Sequence, residues 1–94
     1  MRLKWTNKAL SDLARLYEFL APVNRQTAAR TVQSLTVAPV RLLEQPYLGE
    51  KLEEFELREV RRIQVGYYEM RYECYEVKKS TIYVLRIWLT KENR

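Results

Sequence analysis

The stretch from Arg58 to Lys91, REVRRIQVGYYEMRYECYEVKKSTIYVLRIWLTK, constrains the fold more than any other part of the chain. Its last section, Ile82 to Leu89, is apolar on both faces except for Arg86. A strand of that kind belongs in the interior of a sheet with helices over one side. Before it, Tyr68, Met70, Tyr72 and Cys74 alternate with Tyr67, Glu69, Arg71, Glu73 and Tyr75, which predicts a second strand with two chemically different faces. Residues 57–65 are β-rich and predict a third, although Val60, Ile63 and Val65 are spaced too irregularly to fix its buried face. Gly66 can supply the positive φ of the first turn, and Lys78-Lys79 marks the second.

The N-terminal half supplies the cover. Leu3 and Trp5 alternate with polar neighbours, as in a short half-buried strand. Thr6 can cap a helix whose apolar positions Leu10, Leu13, Leu16, Tyr17 and Leu20 repeat at helical spacing, with Lys8, Asp12, Arg15 and Glu18 on the other side. Pro22 ends that helix near Leu20. Asn24 can cap a second helix over about 25–44, with the stripe Ala28, Val32, Leu35, Pro39 and Leu42. Pro39 removes a helical hydrogen bond and predicts a kink, or a break into two shorter helices. Two helices joined by about four residues form an antiparallel hairpin. Residues 45–56 hold a Pro, a Gly and four acids and predict a connecting loop. The expectation is one α+β domain over residues 1–94: a small, largely antiparallel sheet in β-α-α-β-β-β order, with an N-terminal helical hairpin on one face.

Several function classes are excluded early. There is no histidine, which removes Ser-His, Cys-His and His-metal chemistry, and the lone cysteine, Cys74, cannot staple the fold. No catalytic set, metal site or cofactor is therefore expected. Glu53, Glu54 and Glu56 have no evident acid–base partner. No apolar run is long enough to span a membrane, and MRLKWTNKAL has no apolar core of a signal peptide, so a cytoplasmic protein without membrane contact is expected. A net charge of +5 favours acidic partners.

The sharpest constellation is arginine interleaved with aromatics on strands: Arg58, Arg61, Arg62, Arg71 and Arg86 among tyrosines and Trp88, followed by Lys91. An exposed face of this kind can hold phosphates and stack bases. The same residues can instead be structural, with arginines paired to Glu59, Glu69 and Glu73 and tyrosines packing the sheet. Arg86 within its apolar strand needs either a buried partner or a groove. Cys74, on the apolar face, reads as inert core.

Over nearly its whole length the chain resembles the RelE/ParE superfamily of bacterial type II toxins. The residues that carry the resemblance are LKWTNKALSDLARLYEFLAPVN, LLEQPYLGEK, LREVRRIQVGYYEMRYE and TIYVLRIWLTKENR, in that order. The resemblance implies a small basic toxin, linked to plasmid stabilisation and neutralised by a cognate antitoxin that also supplies contact with operator DNA. The RelE-like branch cleaves messenger RNA on the ribosome. Where its GYR pattern has arginine this chain has Tyr68, where many members carry a histidine in the last strand it has Leu89, and it stops at Arg94 without a C-terminal Tyr. Arg61, Arg62, Arg71, Arg86 and Lys91 nevertheless keep ribonuclease chemistry open, as the alternative. The long, closely linked helices and missing catalytic set look more like ParE. That branch implies inhibition of DNA gyrase by protein contact, with no small-molecule substrate. A family member that only binds its antitoxin is the third reading. Arg58, Arg61, Arg62, Arg71, Arg86, Trp88 and Lys91 are the expected partner-binding residues.

Overall fold

The computed structural model describes residues 2–75 and 81–90. Its elements are β1 (Arg2–Trp5), α1 (Asn7–Leu20), α2 (Arg25–Val37), a 3₁₀ segment (Ala38–Leu43), β2 (Glu50–Lys51), a 3₁₀ turn (Glu53–Phe55), β3 (Val60–Val65), β4 (Tyr68–Tyr75) and β5 (Thr81–Leu89). The five strands form one sheet in the order β1-β5-β4-β3-β2. All neighbours are antiparallel except β1, which lies parallel to β5. The class is α+β, as expected, with a mixed sheet. The Lys78-Lys79 turn and Lys91 lie outside the described residues.

Local chemistry explains the helix boundaries. The Thr6 hydroxyl accepts the Ala9 N–H at 3.1 Å, and the Asn24 side chain accepts the Thr27 N–H at 3.0 Å. Four residues join α1 to α2, with Pro22 just after the last turn of α1. At Pro39 the chain tightens into the 3₁₀ segment, so the longer helix breaks after Val37. The apolar stripe survives this break, because Ala28, Leu35, Pro39 and Leu42 are all buried.

The hairpin covers one face of the sheet. Ala9, Leu35 and Leu42 pack with Ile63, Met70, Tyr72, Cys74, Ile82, Val84 and Ile87 in a single core, flanked by Leu3, Trp5, Leu13 and Leu16. The second strand from the β1 edge, β5, is the apolar one, as its sequence requires. Gly66 turns β3 into β4 at φ 60.

Three expectations are corrected. Residues 45–56 are more than a loop: Glu50 and Lys51 pair with Arg62 and Arg61 as β2. The strand expected over 57–65 begins only at Val60. The inward face of α1 is also rotated from its leucine stripe, for Leu10 is 49% exposed whereas Asp12, assigned to the solvent side, is 2% exposed. The rotation brings Asp12 against β5.

Candidate partner-binding face

The face of the sheet opposite the hairpin is built by alternation. Register pairs Arg62 with Arg71 and Arg71 with Arg86, and Glu69 with Trp88. Met70 and Ile87, between these positions, point into the core. The outer face therefore carries a row of arginines from β3, β4 and β5. Arg61, one residue from Arg62, pairs with Tyr72 and belongs to the other side.

Each arginine has a distinct setting. Arg58 forms a fork with Glu73 at 3.0 and 2.8 Å. Arg62 reaches Glu50 at 2.9 Å and Glu69 at 3.5 Å. Hydrogen bonding to Glu73 and to Glu50 raises the pKa of Arg58 and Arg62 respectively. Arg71 lies between two rings, its guanidinium 4.7 Å from the Trp88 centroid and 5.7 Å from that of Phe55. Its nearest carboxylate oxygen, on Glu69, is 3.7 Å away. Arg86 bonds Asp12 through Nε at 2.9 Å, which raises its pKa, and also flanks Trp88 at 5.6 Å. Neither a bare guanidinium array nor a fully paired one results.

Asp12 is the anchor that the sequence pattern did not show. Strand β1 ends at Trp5, so no strand neighbours β5 beyond Val84 on that side. The start of α1 takes over. Thr6 donates its backbone N–H to the Val84 carbonyl at 3.1 Å, and its hydroxyl points to the carbonyls of Val84 and Leu85. Asp12 accepts the Ile87 N–H at 2.8 Å, Nε and Nη2 of Arg86 at 2.9 and 3.3 Å, and Arg15 at 3.2 Å. A one-residue register shift between Arg71 and Tyr72 leaves Leu85 as the extra residue of a bulge, directly before Arg86. The buried carboxylate is thus saturated with donors, the condition under which burying a charge is tolerable.

Arg61 serves the loop. It donates to the carbonyls of Gly49 (2.7 Å) and Tyr47 (3.2 Å), lies over the Tyr47 ring and bonds Glu59. Burial pushes the Glu59 carboxyl up, and the bonds from Arg61 and Lys51 more than offset this, leaving its pKa lowered. Fully buried Tyr72 completes the clamp, donating to the Pro46 carbonyl at 2.8 Å and accepting the Gly49 N–H at 2.9 Å. A Cβ on Gly49 would lie 2.4 Å from the Arg62 carbonyl oxygen, so this loop needs glycine for close approach. Burial raises the Cys74 pKa to about 11, in keeping with an inert core thiol.

Two further features mark the surface. Buried Glu69 Oε2, Arg71 Nε and Trp88 Nε1, grouped on the outer face, have no hydrogen-bond partner among the described residues. On the other side, an open groove of about 760 Å³ runs between α2 with its 3₁₀ extension and the end of β3, with Val37, Val40 and Val65 along it. Val37 and Val40 are at least half exposed. Strand β2 covers β3 only at Arg61 and Arg62, so Ile63 to Val65 has no outer strand neighbour among the described residues. The described residues contain no cluster of potential metal ligands and no helix long and apolar enough to cross a membrane.

Comparison with known proteins decides the family. The model for the ParE toxin of the type II toxin-antitoxin system parDE matches residues 3–94. The chain belongs to the ParE toxin family. Among solved structures it is similar to a chain of the chromosomal ParDE toxin-antitoxin system from P. aeruginosa, with 26% identity, 95% of each chain covered and a TM-score of 0.74. A comparison with curated proteins gave no match. ParE membership makes the chain the toxin component of a type II system and implies an antitoxin partner. Within this ParE-type fold, the sequence-expected residues Arg58, Arg62, Arg71, Arg86 and Trp88 gather around the outer face, whereas Arg61 braces the 47–49 loop.

Proposed function

We propose that this ParE-family toxin inhibits DNA gyrase by protein–protein contact and is neutralised by its cognate antitoxin, without performing chemistry itself. The observation that carries the reading is the engagement of the sheet arginines. Arg58, Arg61, Arg62 and Arg86 each bond a carboxylate, and Arg71 is held between Phe55 and Trp88. Arginines fixed in this way shape a docking surface. A phosphoryl-transfer site needs cations aimed at the developing charge and a group to move the proton, and the chain offers no histidine for that step.

The α2–β3 groove and the open end of β3 suit an antitoxin segment that binds by helix-in-groove packing and strand addition. The +5 charge favours an amphipathic, acidic segment and fast encounter. Operator DNA is reached only through the antitoxin in this account, and the site of action is the cytoplasm.

The test is a paired assay with purified toxin: supercoiling by gyrase, and protein synthesis in a cell-free translation reaction. The expected outcome is lost supercoiling that antitoxin restores, with translation intact throughout. Blocked translation with intact supercoiling would instead establish the ribosome-dependent ribonuclease reading. Harmless overexpression without antitoxin would mark a member that only binds its antitoxin.

A further inference from the structure

A cleft of about 360 Å³ opens where the start of α1 meets the outer sheet face, lined by Thr6, Lys8, Phe55, Arg58, Arg71, Leu85 and Arg86. We propose that this cleft is a carboxylate-binding subsite, which takes one Asp or Glu side chain of a polypeptide partner. The inference rests on the reading that this toxin works by protein contact.

Four cations line the cleft. Three of them face carboxylates: Arg58 faces Glu73, Arg86 faces Asp12, and Arg71 lies 3.7 Å from Glu69. Asp12 and Glu69 are also shared with Arg15 and Arg62 outside the cleft, so neither fully neutralises its partner inside it. Lys8 has no ion pair among the described residues and is exposed. Within the cleft the unmatched charge is therefore that of Lys8 together with the incompletely neutralised Arg71 and Arg86, a positive site that suits a carboxylate.

The setting of Lys8 adds a second argument. It lies in the first turn of α1, where acids are stabilising, and that turn contains none. A lysine there opposes the helix dipole, a local cost that a bound anion would offset. Arg58 and Arg86 keep 52% and 39% of their side chains exposed, so their guanidinium edges remain reachable while their carboxylates hold them in place. The Phe55 ring gives the cleft an apolar wall beside Arg58 and Arg71, a surface for the methylene stem of a glutamate.

The test is an NMR titration of the free protein at constant ionic strength with three probes: N-acetyl-glutamic acid α-amide, its glutamine counterpart and inorganic phosphate. The expected result is saturable shifts from the glutamate compound at the amides of Asn7 and Lys8 and at the Arg58 and Arg86 side chains. Lys8→Gln should weaken that binding by about tenfold, the loss of one charge-assisted contact. Arg58→Gln should weaken it as well, with the remaining spectrum unchanged to show that both variants fold. Three results would overturn the proposal: no saturable shift, equal shifts from the glutamine compound, or tighter binding of phosphate. None of them bears on gyrase inhibition itself, which the supercoiling assay decides separately.

Discussion

Two arginine–carboxylate pairs of equal length, 2.9 Å, sit on neighbouring parts of one sheet in opposite environments. Arg86 holds Asp12, whose side chain is 2% exposed, at the junction of α1 and β5. Arg62 holds Glu50, whose side chain is 67% exposed, at the β2–β3 rim. The first carboxylate also takes a backbone N–H that no strand reaches, so its removal strands two kinds of donor. The second is surrounded by water, where an ion pair adds little. Length alone does not rank such contacts, and burial with full hydrogen bonding does. The junction is accordingly where this fold is locked, and the rim pair contributes little to its stability.

That contrast can be broken by substitution. Asp12→Ala should give the largest effect, a loss of about 3–5 kcal/mol in urea unfolding, because a part-buried arginine and the Ile87 N–H lose their acceptor. An effect below about 1 kcal/mol would show that the junction is no more than a surface pair. Tyr72→Phe should cost about 1–3 kcal/mol by leaving the Gly49 N–H and Pro46 carbonyl without their shared hydroxyl. Faster amide exchange in 45–49, with little change in α1, is the accompanying sign that the clamp acts locally.

Cys74 sharpens the same comparison through pH. Burial raises its thiol from the ordinary value of 9.0 to about 11. A raised pKa contributes stability that is present below pH 9 and lost as the pH rises through about 11. Stability should therefore fall across that window, and Cys74→Ala should reduce the slope. An unchanged slope would place the thiol outside the packed core. Arg62→Ala should give the smallest effect, about 0–1 kcal/mol, in the same urea measurement. A cost equal to that of Asp12→Ala would erase the distinction between junction and rim.

Much of this was legible in the sequence, for identifiable reasons. Thr6, Asn24, Pro22 and Pro39 act within a few residues of themselves, so their effects on helix ends followed from local chemistry. The double-sided apolar run of Ile82 to Leu89 announced an interior strand. Asp12 was misplaced because an acid in an amphipathic helix usually faces water. Its burial depends on Arg86, 74 residues away, and on a bulge that periodicity cannot reveal. Strand β2 has no sequence signature, because two paired residues inside an acidic segment leave no alternating pattern. Arg61 and Arg62 read alike in sequence, yet strand alternation sends one to the Tyr47–Gly49 loop and the other to the outer face.

The central claim is that this ParE-family toxin acts by contact and not by turnover. The most direct measurement is the amount of toxin needed to stop supercoiling by a fixed amount of gyrase. A contact inhibitor should require at least an equimolar amount, reach a plateau, and release active gyrase when antitoxin is added. Inhibition by a small fraction of one equivalent that antitoxin does not reverse would contradict the account, as would supercoiling that stays intact at every ratio.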